Sequence, residues 1–393
     1  MPAQKEIIGK KSRRLKGKRI ALCITGSVGC IRSVEIARDL IRHGADVFAV
    51  MNSDAQALIG PSLLEWATGN SVVTKITGKC EHLSLTNGEG KVDIVLVAPS
   101  TANTIAKCAN GICDSPVSLL LMTAIGAGIP VMFVPAMHDS LYNDIFRENV
   151  KKLERFAEFV PPLEEEGKKK MPASDDVVHR VMRKLGDGSF RGKKVVVTAG
   201  ATREYLDDIR FISNRSTGRM GIAFGKEAWL RGADVTVIAA HCEVPIPRYL
   251  KAVKAETIHG MEKELMKEAK RSDIVVTAAG VGDFEIEKRS GKIKSGKELL
   301  LKLSPAKKIV DGIKRINKKC KLILFKAESG VGEKEMIKRA VRRGKETRAD
   351  IVIANDERGF GGEVSTVVAI KGGKARKIEG SKEEIASAVF GWL

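Results

Sequence analysis

Short apolar runs alternate with helix-length segments along the whole chain, and this pattern constrains the fold more than any other feature of the sequence. Most of the runs are rich in Val and Ile, without an alternating polar face. That composition is typical of parallel strands covered by helices on both sides of a sheet. The predicted strands are 19–25, 46–51, 92–98 and 130–135 in the first half, and 194–199, 234–239, 273–278, 322–325 and 350–354 in the second.

The two halves begin alike. The strings GKRIALCITGS (17–27) and GKKVVVTAGAT (192–202) both predict a strand followed by a loop of small residues, and each then leads into a helix ending in Gly-Ala-Asp-Val (44–47 and 232–235). A length of 393 residues fits two domains of about 150 residues or more. We therefore predict two tandem doubly wound α/β domains. The first, 19–186, is flavodoxin-like, and the second, 187–393, is Rossmann-like; a basic N-terminal tail, 1–18, precedes them.

The net charge and the cysteines limit the function. Lys and Arg number 68 against 48 Asp and Glu, a formal charge of +20, which favours anionic partners such as phosphorylated small molecules. A Lys/Glu-rich surface unrelated to ligand is the alternative. A nucleic-acid-associated protein using the basic tail is a further possibility, but the sequence contains no nucleic-acid-binding motif, so we expect no nucleic-acid partner. The seven scattered cysteines form no CxxC pair, which disfavours a disulfide framework and a zinc site. No signal-peptide-like segment and no apolar run approaching about 20 residues is present, so we expect a cytoplasmic protein without membrane attachment.

Ligands of such sheets bind beyond the carboxyl ends of the strands, at the point where the strand order reverses. No GxGxxG string is present, which disfavours a standard nicotinamide dinucleotide site. Hydroxyl groups and glycines do follow the first three predicted strands, where helix N-termini could bind a dianionic phosphate. Helix capping by Ser and Thr is the alternative explanation. These residues are Gly26, Ser27, Ser53, Ser100, Thr101 and Thr104.

Three strings in the first half, EHLSL (81–85), APSTANTIAKCANGICD (98–114) and PAMHDSLY (135–142), resemble the signatures of the homo-oligomeric flavin-containing cysteine decarboxylases. The resemblance implies FMN at the hydroxyl-rich loops and His82 as a catalytic residue. It also implies that Asn103 acts in catalysis by binding the substrate carboxylate, and that Met137 and His138 contact the substrate. A lone histidine in a loop is otherwise more often structural.

Two departures from the bacterial pattern stand out. His138 follows Pro-Ala-Met where bacterial members have Asn. The stretch PPLEEEGKKKMPASDD (161–176) contains no cysteine, whereas bacterial bifunctional members carry a proton-donating cysteine in the corresponding clamp loop, so the donor is unassigned. Lys168–Lys170 could attract the substrate phosphate, or they could be a solvated charge run.

The second half contains VTAGATREYLDDIRFISNRSTGRMGIAFGKEA (197–228), TAAGVGDF (277–284), GKIKSGK (291–297) and LILFKAES (322–329), which together resemble the CTP-dependent phosphopantothenate–cysteine ligases. The resemblance implies that Asn214 binds substrate and helps to form an acyl-cytidylate, and that Lys292 acts in the second half-reaction. It further implies that Asp283, Lys292, Lys294 and Phe325 bind CTP. A solvated lysine turn and a capping acid are the alternatives for Lys292, Lys294 and Asp283.

Both resemblances occur in the order expected for a fused enzyme of coenzyme A biosynthesis, of an archaeal-like kind given the missing cysteine. The expected chemistry is ligation of 4′-phosphopantothenate to L-cysteine with CTP, then FMN-dependent decarboxylation of the product. Mg²⁺ would neutralise the phosphates through phosphate oxygens and water, so no protein ligand is assigned to it. A ligase with a flavin-binding but non-decarboxylating first domain is the alternative. The resemblance also implies trimeric flavin domains and dimeric ligase domains, which could build a dodecamer.

Overall fold

Each half of the chain builds its own main sheet. The structure is a computed structural model, and it describes residues 6–296, 298–356, 362 and 364–393. Its contacts divide the chain into a front unit, Met1–Gly186, and a rear unit, Asp187–Leu393.

The front unit alternates strands and helices. Its elements are β1 (Arg19–Ile24), α1 (Ser33–Arg42), β2 (Asp46–Met51), α2 (Ser53–Gln56), α3 (Pro61–Thr68), α4 (Glu81–Thr86), β3 (Ile94–Ser100), α5 (Ala102–Ala109), α6 (Pro116–Gly126), β4 (Val131–Pro135), α7 (Asp144–Leu153), β5 (Ala157–Phe159), β6 (Leu163–Glu165), β7 (Lys168–Lys170) and α8 (Ser174–Leu185).

Five strands of this unit form a parallel sheet in the order β2-β1-β3-β4-β5. This is the flavodoxin-like order, whose switch point lies between β1 and β3. All seven residues of β3 are buried, as expected for a central strand covered by helices on both faces. The predicted flavodoxin-like fold is therefore confirmed.

The segment predicted as a basic tail is packed onto the front unit over its described part, 6–18. Leu15 is fully buried, and its backbone N–H donates to the carbonyl of His43. Lys11 forms an ion pair with Asp39 on α1 at 3.2 Å. The run of basic residues predicted a separate tail. Charge alone does not show that burial of one apolar residue, Leu15, fixes the segment to α1.

The rear unit is longer and ends in an antiparallel addition. Its elements are β8 (Lys194–Ala199), β9 (Arg203–Tyr205), β10 (Phe211–Ser213), α9 (Arg219–Leu230), β11 (Asp234–Ala239), β12 (Lys251–Lys254), α10 (Ile258–Ala269), β13 (Ile274–Thr277), β14 (Phe284–Ile286), β15 (Leu303–Pro305), α11 (Ile313–Ile316), β16 (Lys321–Glu328), α12 (Glu333–Thr347), β17 (Ile351–Asp356), β18 (Val364–Lys371), β19 (Lys374–Ser381) and α13 (Lys382–Phe390).

The rear sheet has the order β12-β11-β8-β13-β16-β17-β18-β19. Its first six strands are parallel, and counted along the chain they follow the order 3-2-1-4-5-6 of a Rossmann-like sheet, with the switch point between β8 and β13. This confirms the predicted class. Strands β18 and β19 are antiparallel and were not predicted. Among the described helices, none has the length and apolarity needed to cross a bilayer.

Candidate active sites at the two switch points

The loops that follow β1 and β3 are fixed to each other by one buried hydroxyl group. Thr25 Oγ1 donates to the carbonyl of Pro99 at 2.9 Å and accepts the N–H of Thr101 at 3.1 Å. Ser33 Oγ adds a hydrogen bond to the carbonyl of Ala98 at 2.8 Å. Because these bonds are buried, they hold the front switch point in one geometry.

Two glycines in the loop after β1 allow the loops that follow other strands to pack closely against it. A Cβ on Gly26 would lie 2.3 Å from the Cβ of Asp54, which follows β2. A Cβ on Gly29 would lie 3.4 Å from the Cβ of Ala136, which follows β4, and 3.3 Å from the Sδ of Met171. The loops after β1, β2 and β4 thus meet around two positions where the backbone packs closely.

Some of the predicted hydroxyl groups cap helices, and one has no hydrogen-bond partner among the described residues. Ser27 accepts the N–H of Gly29, and Thr101 accepts the N–H of Thr104, so both cap a helical turn as the capping explanation requires. Thr104 is buried with its hydroxyl 3.1 Å from that of Thr101. Ser53 is exposed at the start of α2. The residue whose side chain caps this helix is Asn52.

Ser100 differs from these caps. It is fully buried, and within the described part of the chain its Oγ has no hydrogen-bond partner. A buried hydroxyl without a partner is destabilising unless a ligand or water bonds to it. The front switch point therefore offers a free polar group to a bound molecule.

His82 and Asn103 lie on helices near the sheet. His82 is half-buried on α4, which packs against α6, and its Nδ1 is a buried atom that finds no partner among the described residues. Asn103 is exposed on the first turn of α5. The hydrogen bonds that join the loops after β1 and β3 involve neither residue, so their proximity to a substrate stays a prediction.

The Pro-Ala-Met turn is positioned by its own side chains and by the β6–β7 hairpin. Met137 is half-buried against the core, whereas His138 is exposed and its Nδ1 accepts the N–H of Ser140 at 3.3 Å. The backbone N–H of Lys169 donates to Asp139 at 2.9 Å, and the Lys169 ammonium lies 4.5 Å above the ring of Tyr142.

Lys170 is paired within the same hairpin. Its ammonium lies 3.1 Å from Glu166 and 3.4 Å from Glu165, and hydrogen bonding to Glu166 raises the pKa of Lys170. The Lys168 side chain lies outside the described residues. Part of the positive charge predicted for phosphate attraction is thus already neutralised by carboxylates.

The rear unit contains a large cavity of about 460 Å³ beyond the ends of β8, β13 and β16. Three of the predicted nucleotide or substrate residues, Asn214, Asp283 and Phe325, line this one cavity although they come from distant parts of the chain. Phe325 is held edge-to-face against Phe224, with ring centroids 5.4 Å apart.

A threonine connects the loops here as well. Thr202, almost fully buried, donates its N–H to the carbonyl of Gly280 at 3.1 Å, and its Oγ1 accepts the N–H of Gly282 at 2.9 Å. A Cβ on Gly280 would lie 2.7 Å from the Cβ of Ser216, so only glycine permits the close approach. Gly218, at φ +81°, then begins α9 in the left-handed region.

The large cavity is also lined by cations that are not among the predicted site residues. They are Lys307, Lys308, Lys326, Arg215 and Arg343. The Lys308 ammonium forms an ion pair with the carboxylate of Asp283, and Lys326 pairs with Glu328 at 3.1 Å. Lys307 and Lys308 follow the short strand β15, which is not among the predicted strands, so their position at a strand end could not be recognised from the sequence.

Lys292 and Lys294 are placed differently. Both are exposed, and neither is among the described residues that line the large cavity. Their segment is fixed to the turn at Asp207, whose carboxylate accepts the backbone N–H of Ile293 at 3.0 Å and the Arg210 guanidinium at 3.0 Å. Hydrogen bonds from Arg210 hold the pKa of Asp207 well below its ordinary value. Lys297, in the same predicted string, lies outside the described residues.

No cluster of three or more His, Cys, Asp or Glu side chains suited to a metal ion occurs within the described residues.

Comparison with known proteins agrees with this two-part organisation. Residues 8–186 match the Flavoprotein family model, and residues 190–393 match the DNA/pantothenate metabolism flavoprotein C-terminal domain. A solved structure of a DNA/pantothenate metabolism flavoprotein from Streptococcus pneumoniae is 22% identical, covers 51% of this chain and 98% of its own, and has a TM-score of 0.47.

Two relatives match this chain over nearly its whole length. The coenzyme A biosynthesis bifunctional protein CoaBC of Thermococcus kodakarensis is 44% identical over 98% of this chain and 97% of its own length. The protein of the same name from Methanocaldococcus jannaschii is 36% identical over 99% and 96%, respectively. The chain therefore belongs to the family of coenzyme A biosynthesis bifunctional proteins, with a flavoprotein unit in front and a pantothenate-metabolism unit behind.

Proposed function

We propose that the rear unit joins 4′-phosphopantothenate to L-cysteine at the expense of CTP, and that the front unit then decarboxylates 4′-phosphopantothenoylcysteine to 4′-phosphopantetheine. As a member of the bifunctional family, the chain is a ligase and a decarboxylase of coenzyme A biosynthesis. Its relatives match over nearly the whole chain, and none of these comparisons favours the ligase-only alternative. The residue roles and the choice of nucleotide belong to the proposal.

In the rear unit, the large cavity would receive the nucleotide and the acid together. A carboxylate reacts poorly with an amine, so its oxygen first attacks the α-phosphorus of CTP and pyrophosphate leaves. The cysteine amine then displaces CMP and forms the amide. Asn214 would orient the acyl-cytidylate, Phe325 would contact the base, and Asp283, held by Lys308, would accept from the cytosine amino group.

Lys307, Lys308 and Arg343 add positive charge to this cavity, where several anionic groups would come together. Lys292 and Lys294 would approach from the exposed 291–294 segment, outside the cavity walls, and Lys292 would assist the second half-reaction. Mg²⁺ would be bound by phosphate oxygens and water.

In the front unit, the fit of FMN is supported by the unpaired buried hydroxyl of Ser100 and by the close-packed backbone at Gly26. Backbone N–H groups near Gly26 and Ser27 and the hydroxyl groups of Ser100, Thr101 and Thr104 would bind the flavin and its phosphate, with Ser53 at the edge. When bound, the flavin supplies the redox chemistry that permits loss of carbon dioxide.

The substrate would be bound by residues of this chain's own motifs. Asn103 would bind the carboxylate, and Met137 with His138 would contact the remainder of the substrate. His82, whose free Nδ1 can accept or donate a proton, would act as general acid or base. We further propose a homo-oligomer of trimeric front units and dimeric rear units, which could assemble into a dodecamer.

The observation that carries the proposal is that Asn214, Asp283 and Phe325 line one cavity at the rear switch point. The test supplies purified full-length protein with 4′-phosphopantothenate, cysteine and CTP. We expect stoichiometric CMP and pyrophosphate, carbon dioxide, and a visible flavin spectrum. A colourless protein that FMN cannot reconstitute, together with no pyrophosphate release, would contradict both halves of the proposal.

A further inference from the structure

A buried phenol follows β4 of the front unit, and none of the roles proposed above uses it. Tyr142 ends the turn that begins with Pro-Ala-Met, and its Oη is a buried atom without a hydrogen-bond partner among the described residues. The ring packs edge-to-face against Phe146 with centroids 5.2 Å apart. A buried hydroxyl without a partner is destabilising, so a bound molecule that takes its hydrogen would compensate for its burial.

Backbone contacts place this turn at the front switch point. The Ala136 N–H donates to the carbonyl of Ser100 at 3.0 Å, which joins the loop after β4 to the end of β3. A Cβ on Gly29, in the loop after β1, would lie 3.4 Å from the Cβ of Ala136. Met137, in the same turn, is one of the residues proposed to contact the substrate. The turn that carries Tyr142 therefore borders the place where the substrate would bind.

The β6–β7 hairpin packs against the same turn. The Lys169 N–H donates to Asp139 at 2.9 Å, and the Lys169 ammonium lies 4.5 Å from the centre of the Tyr142 ring. Directly after the hairpin, the Arg32 guanidinium donates to the carbonyl of Met171 at 2.7 Å. The hairpin is thus fixed both to the turn and to the loop after β1, and the Tyr142 ring lies between Lys169 and the hydrophobic core of the front unit.

The Tyr142 hydroxyl keeps its proton at neutral pH. Burial, and secondly the negative charge of Asp139, raise the pKa of Tyr142 to about 12. The group is therefore a hydrogen donor, and it can act as a general acid toward a strongly basic atom. A carbon that has just lost its carboxylate is such an atom.

The proposed decarboxylation needs a proton donor at carbon. When the bond from the α-carbon of the cysteine moiety to its carboxylate breaks, the electron pair stays with the substrate, so one proton must be added to that carbon. The stretch 161–176 contains no cysteine thiol that could supply it. His82 can serve the thiol proton of the substrate, which leaves the carbon without an assigned donor.

We propose that the Tyr142 hydroxyl donates the proton that replaces the carboxylate of 4′-phosphopantothenoylcysteine. This inference rests on the proposed decarboxylase function. The bond between the α-carbon and the carboxylate breaks, carbon dioxide leaves, and the electron pair forms a new bond from the α-carbon to the Tyr142 proton. The phenolate then regains a proton from solvent, so the residue is unchanged after each turnover. The Lys169 ammonium above the ring stabilises the phenolate in the meantime.

The test supplies 4′-phosphopantothenoylcysteine to full-length wild type and Tyr142→Phe, both loaded with FMN and with oxygen excluded. Loss of the general acid predicts about 10²- to 10⁴-fold slower formation of 4′-phosphopantetheine. Because the electrons withdrawn from the substrate return only once the carbon is protonated, Tyr142→Phe should release about one equivalent of carbon dioxide per flavin and lose its visible flavin absorption. The melting temperature of the flavin-free protein should not fall, because the removed hydroxyl has no partner among the described residues.

Tyr205→Phe is the matched control, because Tyr205 lies on β9 of the rear unit, where its hydroxyl donates to Glu256 at 3.2 Å. It should decarboxylate the supplied intermediate like wild type. Unchanged 4′-phosphopantetheine formation by Tyr142→Phe would overturn the inference. Slow formation with the flavin absorption retained, or with a lower melting temperature, would also overturn it, since a merely structural role predicts those results. If wild type itself releases no carbon dioxide, the proposed function fails; if wild type and Tyr142→Phe react equally well, only this inference fails.

Discussion

The front and rear units begin with the same strand–loop–helix pattern, and each fixes its switch point with a buried threonine. Thr25 joins the loops after β1 and β3, and Thr202 joins those after β8 and β13. The linings differ, however. The front loops present hydroxyl groups and close-packed glycines, whereas the large cavity of the rear unit is lined by Lys307, Lys308 and Arg343 among other cations.

Under the proposed functions, one topology would serve two kinds of anion. A single dianionic phosphate is accommodated by N–H groups and hydroxyls at helix N-termini. A triphosphate beside a phosphorylated acid brings several negative charges into one cavity, and side-chain cations are needed to neutralise them. Variants confined to one unit should therefore alter one reaction and leave the other unchanged.

The largest expected effect is on the front unit. His82→Asn should lower decarboxylation of supplied 4′-phosphopantothenoylcysteine by about 10²- to 10⁴-fold, because the group that we propose to transfer a proton is lost. Carbon dioxide release measures the effect, and the flavin spectrum should be unchanged. His259→Asn, at an exposed position of α10 in the rear unit, is the control. A parallel fall in ligation would break the proposed separation of the two units.

Asn214→Ala is the corresponding change in the rear unit. Without the amide that we propose to orient the acyl-cytidylate, pyrophosphate release from CTP should fall by about 10²- to 10³-fold. Decarboxylation of the supplied intermediate should be unaffected. If instead only the KM for CTP rises and kcat is retained, Asn214 binds the nucleotide without acting on the reacting atoms.

Gly26→Ala tests whether the close-packed backbone of the front unit contributes to flavin binding. The added Cβ would lie 2.3 Å from that of Asp54, so the loop after β1 must shift. Because the proposed flavin site needs the unshifted loop, holding the loop there against overpacking strain of about 1–3 kcal/mol should weaken flavin binding roughly 5- to 150-fold, measured by titration of the reconstituted apoprotein. Gly126→Ala, at a helical position with open space around it, is the control. Equal flavin affinity in both variants would show that the Gly26 loop does not contact the flavin.

The smallest effect concerns Asp207, which fixes the segment carrying Lys292. Its pKa is depressed in the folded protein, so its stabilising contribution is complete above the ordinary value of 3.8 and is lost as the pH falls toward the folded-state value. Asp207→Asn should lower the melting temperature at neutral pH, and the difference from wild type should narrow below about pH 4. The exposed Asp234→Asn is the control. A difference independent of pH would contradict the assignment.

Much of the fold could be predicted from local patterns. Strands β2, β8 and β11 have the predicted bounds, because each begins at a charged residue and continues as a run of mostly apolar residues. Strands β5 and β12 were missed because they are short edge strands carrying charged residues. The β18–β19 hairpin was missed as well, since β19 is largely exposed and reads as a charged surface.

The site residues divide in the same way. Asn214, Asp283 and Phe325 each stand in a motif that is recognisable alone, and the structure brings them to one cavity. Ser53 was placed at a strand end correctly, but Asn52 is the residue that caps the helix. Which of two neighbouring polar residues accepts a given backbone N–H depends on the local backbone geometry, and the sequence pattern does not show that geometry.

The sequence by itself determined two doubly wound units, their order and the strand ends where we propose that ligands bind, because the spacing of apolar residues is a local property of the chain. Only the tertiary structure decided which charges share a cavity. Arg219 and Lys382 lie far apart in sequence and line one small cavity of the rear unit because α13 packs on α9. Electrostatic interactions depend on distance in space, so the pairing of Lys308 with Asp283 and the proximity of these two cations required the folded chain.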